Sequence, residues 1–173
     1  MKISSSLIIA ILSTHAYAEQ ATPCTQESTT KYFISNWKSP DNSIDTLTRI
    51  NTTTGELSVS EGLLIYSGDL NLDGNNDAIF KSYEGVGSSK DNTFDILIRC
   101  RGYYVFAGGD YYAEMEVSSQ SKNNYKKIIA KSYKRDSRDQ IVYNGKEAAL
   151  TRETLSFSQK EMKYTTNTSS KKP

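Results

Sequence analysis

Histidine is almost missing from this chain: the single copy, His15, stands within the first 18 residues. If that stretch is removed on export, the remaining protein has no imidazole. That excludes the usual general base, the Ser-His and Cys-His nucleophile pairs and the commonest zinc ligand. No apolar run approaches the roughly 20 residues that a membrane span needs, so no integral span is expected after cleavage. An excess of charge is lacking as well. Lys2 is one of the 21 basic residues, and its loss leaves the rest balanced against 20 acidic ones. A neutral chain implies neither nucleic acid nor an anionic membrane as partner. Cysteine is limited to Cys24 and Cys100, and no lipid-attachment cysteine follows the apolar run.

The amino terminus has the three parts of a secretory signal. Lys2 supplies the positive charge, Leu7 to Leu12 form a short apolar core, and Ala16-Tyr17-Ala18 is a small-x-small cleavage sequence followed by polar Glu19. Residues 1–18 are therefore expected to be a cleaved leader, and the protein to act in the periplasm or outside the cell. The remaining chain of about 155 residues is one domain's worth, expected over 19–164. In an oxidising compartment its even cysteine pair forms one disulfide most simply. Residues 165–173 contain no apolar side chain and read as a disordered tail.

Alternation dominates the interior of the sequence. Phe94, Ile96, Ile98 and Cys100 fall on one face of a strand, with Asp95, Leu97 and Arg99 on the other. Tyr32 to Trp37 reads as a strand or a short helix. Leu57 and Val59 alternate with polar residues after the turn Asn51-Thr52-Thr53-Thr54-Gly55, which predicts a hairpin with the segment holding Ile44, Leu47 and Ile50. Tyr103 to Phe106, the turn Ala107-Gly108-Gly109-Asp110, and Tyr111 to Val117 predict a second hairpin. Lys127 to Tyr133 and Gln140 to Tyr143 read as strands, and Asn144-Gly145 as a type I′ turn leading to a last strand or short helix. Many short strands and no long amphipathic helix predict a mainly β domain, an antiparallel meander forming a sandwich, an open barrel or a propeller-like fragment.

Chemistry concentrates in Asp69-Leu70-Asn71-Leu72-Asp73-Gly74-Asn75-Asn76-Asp77. Oxygen side chains recur at the first, third and fifth places, and glycine follows at the sixth. Calcium wants six to eight oxygens at about 2.3–2.6 Å, and alternate residues of a short loop can turn toward one centre. Asn75 offers its carbonyl from the seventh place and Asp77 its carboxylate, directly or through water, from the ninth. The run Gly68 to Phe80 resembles the D-x-N-x-D-G-x-x-D loop of FG-GAP and VCBS-type repeats and, less closely, of dockerins. That resemblance implies one structural calcium ion. Phe80 stands where an EF-hand needs glutamate, and the motif occurs once, so the multi-copy propeller architecture is not implied.

Several other patterns have ordinary explanations. Ser35-Asn36-Trp37-Lys38 and Ser119-Gln120-Ser121-Lys122 satisfy Ser-x-x-Lys without the companion motifs of penicillin-binding enzymes. Glu114 and Glu116, next to Tyr103, Tyr104, Tyr111 and Tyr112, offer the alternative of a glycan-binding module or hydrolase built on residues 103–117. Lys131, Lys134, Arg135 and Arg138 make a locally basic stretch suited to an acidic protein partner. Downstream of the acidic loop the layout is similar to small exported bacterial proteins, some of which inhibit or give immunity to cell-wall-degrading toxins. That similarity implies a protein partner, a cell-wall hydrolase, and no catalysis by this chain.

Overall fold

The computed structural model describes residues 22–25, 27–39, 42–84 and 91–166, excluding the side chains of residues 37–39, 42 and 43. The expected leader lies outside them. Every regular element among the described residues is a strand: β1 (Thr30–Ser39), β2 (Asn42–Asn51), β3 (Leu57–Gly68), β4 (Asp77–Ser82), β5 (Asn92–Cys100), β6 (Tyr103–Phe106), β7 (Tyr111–Tyr112), β8 (Glu114–Lys122), β9 (Tyr125–Tyr133), β10 (Tyr143–Asn144), β11 (Glu147–Ala148), β12 (Leu150–Ser158) and β13 (Lys163–Thr166).

β1 to β6 pair antiparallel in chain order, and β6 returns to β1 with Tyr104 opposite Tyr32, closing a six-stranded barrel. Closure removes the exposed edges that an open meander would leave. A second antiparallel sheet, in the order β13-β12-β9-β8, lies over the outside of β4, β5 and β6. The alternation along β5 therefore serves two cores. Leu97 points into the barrel with Tyr32, Leu47, Ala78, Phe80 and Tyr104. Phe94, Ile96, Ile98 and Cys100 point out of it, against Ile128, Ala130, Leu155 and Phe157 of the second sheet.

A bulge in β3 serves the same division. Leu64 stands opposite Phe80 on the barrel interior, and one residue is then added so that Tyr66 stands opposite Ile79 on the outer face. Gly62 leaves room for the Phe80 ring, which a Cβ there would meet at 2.7 Å.

The cysteines are joined as Cys24–Cys100, with Cα atoms 5.5 Å apart and a sequence separation of 76. The bond fastens the segment before β1 to the end of β5, and it marks a protein of an oxidising, non-cytoplasmic compartment. No helix among the described residues is long and apolar enough to cross a membrane.

The expected 103–117 hairpin is not formed. Residues 103–112 run without reversal along β5: Ala107 N donates to Ile96 O at 2.8 Å, Ile96 N to Gly108 O at 2.7 Å, and Phe94 N to Asp110 O at 3.0 Å. Gly108 and Gly109, with φ of 129° and 145°, make a bulge in this ribbon rather than a turn. At Gly109 a Cβ would strike the Phe94 carbonyl, so the glycine is there for close backbone approach. The chain crosses to the second sheet at Ala113, whose N–H donates to Lys131 O at 2.7 Å.

Smaller differences follow from turn register. Asn144 pairs with Glu147, so the reversal lies at Gly145-Lys146, where Gly145 alone has positive φ. Asn123 and Asn124, at φ of 53° and 64°, supply the left-handed pair of a type I′ turn between β8 and β9. Ile141 makes a single bridge to Arg135 instead of a strand. Thr165 and Thr166, read as tail, complete β13 opposite Ser156 and Leu155; residues 167–173 lie outside the described ones.

Reducing the disulfide should lower unfolding free energy by about 4 kcal/mol, from a loop of this length. Urea unfolding with and without dithiothreitol measures it, and coincident midpoints would refute it. Gly109→Ala should cost at least about 3 kcal/mol, because neither the φ nor the space suits a side chain.

Candidate functional site

The acidic loop fills the gap between Gly68 and Asp77, which pair as the last rung of β3 and β4. Its alternate side chains turn inward as their spacing implies. Asp69 accepts from Asp73 N at 3.1 Å through Oδ1 and from Gly74 N at 2.9 Å through Oδ2. Asn71 Oδ1 accepts from the same Asp73 N at 3.3 Å, and its Nδ2 donates to Asp73 Oδ2 at 2.9 Å. Asp73 Oδ1 in turn accepts from Asn75 N at 2.8 Å. Gly74, at φ 86°, provides the bend, and Leu72 shares the left-handed conformation at 57°.

Asp77 does something different from what its place in the motif suggests. It is fully buried, and its Oδ2 accepts from Leu70 N at 2.7 Å and Asn71 N at 3.2 Å. Oδ1 accepts from Arg99 N at 2.8 Å. One carboxylate thus ties the start of the loop, the start of β4 and the end of β5. Burial pushes its carboxyl up to about 6; the amide N–H groups oppose that rise and the charge of Asp73 adds to it.

Leu70 seals the arrangement from below. Its side chain is fully buried in the core between barrel and second sheet, and its carbonyl accepts from Lys126 N of β9 at 2.7 Å. Leu72, two residues on, is exposed. The pattern Leu-x-Leu within a polar loop carries no signal to say which leucine is the plug, so sequence reasoning missed Leu70.

Both Asp77 oxygens are thus engaged by amide hydrogens. Both oxygens of Asp69 and of Asp73 accept N–H groups as well, so this engagement does not set Asp77 apart from the other oxygen residues of the loop; its full burial does. Among the described residues, no group of three or more His, Cys, Asp or Glu side chains stands in position to hold a metal ion. The side chains at the first, third and fifth positions turn into the loop, and that of the ninth is buried against backbone N–H groups.

The basic candidates do not gather into one free surface. Lys131 donates to Glu114 at 2.8 Å, and Arg135 pairs with Asp139 at 3.6 Å and with Asp91 at 3.9 Å. Lys134 and Arg138 are exposed. Glu116 faces Arg152 at 4.0 Å, so both acids of the proposed carboxylate pair already meet cations. The tyrosines are likewise divided: Tyr104 lies inside the barrel, Tyr103 lies under the Lys31 ammonium, and Tyr112 packs on Phe94.

No family model, no curated protein and no solved structure matches this chain.

Asp77→Ala should cost at least about 3 kcal/mol, since three buried amide hydrogens lose their acceptor at once. In calcium-free buffer Asp69→Asn should cost under about 1 kcal/mol, because its contacts are exposed. Urea midpoints read both, and equal costs would contradict the division of labour between the two aspartates.

Proposed function

We propose that the protein is an exported, calcium-stabilised binding domain that recognises another protein, with a cell-wall-degrading hydrolase as the partner it inhibits or gives immunity to. The metal half of this reading draws on the converging oxygens of Asp69, Asn71 and Asp73. Calcium held there and by the Asn75 carbonyl, with water completing the shell, offsets the repulsion of two neighbouring carboxylates. Its effect is mechanical, stiffening a loop already clamped to both sheets.

The observation that carries the protein-binding half is the outer face of β1, β2 and β3, which the second sheet leaves uncovered. Across it, Phe33, Thr48 and Val59 stand in one row and Lys31, Ile50 and Leu57 in the next. Leu57 is 60% exposed and Val59 49%. Adjacent apolar side chains on a solvent-facing barrel wall support a contact surface there. Lys134 and Arg138 add a steering charge for an acidic partner.

Millimolar calcium should raise the melting temperature by roughly 5–10 °C over chelator, if the ion stands about a hundredfold above its dissociation constant. The double replacement Asp69→Ala, Asp73→Ala should remove that gain and leave a folded protein. Superimposable wild-type melts would make the loop a bare turn. For the partner, the hydrolase encoded beside this gene should form a stoichiometric complex and lose turnover, and Val59→Asp should weaken the complex at least about tenfold. Sugar release by the protein alone, abolished in Glu114→Gln, would replace this reading with a hydrolase.

A further inference from the structure

One row of side chains crosses the barrel interior over four strands: Arg49 on β2, Tyr32 on β1, Tyr104 on β6 and Arg99 on β5, each opposite the next. The Arg49 guanidinium lies 5.3 Å from the Tyr32 ring centre, and that of Arg99 lies 4.8 Å from the Tyr104 ring centre. The two ends differ in their charge environment. Arg49 shares its end of the barrel with the buried carboxyl of Asp95, whose burial-raised protonation tendency it opposes. The Arg99 guanidinium has no carboxylate within 4.0 Å and no hydrogen-bond partner among the described residues; the Asp77 carboxylate is held by the Arg99 backbone N–H instead. A half-buried cation held by a ring and left without an anion is costly to keep unless a ligand supplies the anion.

Arg99 opens onto a pocket of about 460 Å³, lined also by Ser67, Gly74, Asn75, Asn76 and Tyr104. Its walls are set by contacts already described. Asp77 Oδ1 fixes the backbone of Arg99, and the hydrogen bonds of Asp69 and Asp73 fix Gly74 and Asn75. The volume suits a small ligand. One guanidinium with neutral hydroxyl and amide groups around it matches a monoanion. A phosphate dianion calls for a second cation, and Arg49 lines a separate pocket with Thr30, Asn51, Glu56 and Ser58.

We propose that this barrel mouth binds an acidic sugar through its carboxylate. Arg99 takes the carboxylate in a bidentate pair, Tyr104 holds the guanidinium flat, and Ser67, Asn75 and Asn76 pair with the sugar hydroxyls. The site goes beyond the protein-binding reading, with Arg99 and Tyr104 supplied by the barrel and Gly74, Asn75 and Asn76 by the acidic loop.

Titration of the protein with sodium glucuronate, followed by calorimetry and by amide NMR shifts, tests it, with glucose and inorganic phosphate as controls. Saturable binding with a dissociation constant under about 10 mM is expected, with shifts centred on Arg99 and residues 74–76, and none for glucose. Arg99→Gln should weaken binding at least about tenfold at unchanged melting temperature, while Arg49→Gln stays within about twofold. If Arg99→Gln does not fold, the exposed double variant Asn75→Ala, Asn76→Ala should still weaken binding several-fold. No saturation up to about 50 mM, tighter binding of phosphate than of glucuronate, or equal affinity in these variants and the wild type would overturn the proposal.

Discussion

Three backbone amides from two separate segments converge on the carboxylate of Asp77, inside the protein and away from water. The amides of Leu70 and Asn71 belong to a loop that the pairing of β3 and β4 leaves over, and that of Arg99 to the end of β5. Buried amide hydrogens without an acceptor are each worth about 1–3 kcal/mol in penalty, so the carboxylate is what allows this corner of the barrel to be dry. Much else depends on it. Leu70 can enter the core only because its own N–H is answered there, and its carbonyl then reaches β9 of the second sheet. The loop that looks like a metal site is thereby part of the joint between the two sheets.

β5 is the other shared element. Pairing with β4 on one side and with β6 and β7 on the other, it is buried on both faces and belongs to both cores. Its alternation was fully legible in sequence, as were the shared face of Phe94, Ile96, Ile98 and Cys100, the β2–β3 hairpin and the oxygen spacing of the loop, since each is a local pattern of period two or a short turn. Barrel closure was not. It rests on Tyr32 meeting Tyr104, a pairing of residues 72 positions apart that no local period encodes. The bulge in β3 was also hidden, because Leu64 and Tyr66 read as one face until an added residue turns the second outward.

Glycine misled where its usual meaning was assumed. Gly108-Gly109 reads as a turn because glycine supplies the dihedral angles that reversals need, yet the same freedom lets a strand press against its neighbour's carbonyl. Only the position of Phe94 separates the two uses. That single difference dissolved the tyrosine-rich hairpin and sent Tyr104 into the barrel, while Glu114 and Glu116 stay together on β8 of the second sheet.

Charge placement then sorts the surface. Glu114, Glu116 and Asp139 each face a lysine or arginine of the same chain in exposed pairs that are worth little energy, and buried Asp91 faces Arg135; all four cancel field they would otherwise project. In the basic stretch 131–138, Lys131 and Arg135 are thus spent within the chain, while Lys134 and Arg138 stay exposed. Arg99 also lacks an ion pair to its guanidinium, and it differs from exposed Lys134 and Arg138 in being half-buried and held by its surroundings. Its strand is fixed by Asp77, its guanidinium plane by Tyr104, and the wall across from it by the same loop that Asp77 anchors. Holding a side chain with this many rotatable bonds in one place costs entropy, and the ring and backbone contacts have already met that cost in the free protein. An anion arriving there loses little more to ordering, which is the condition under which a single charged contact becomes a binding site.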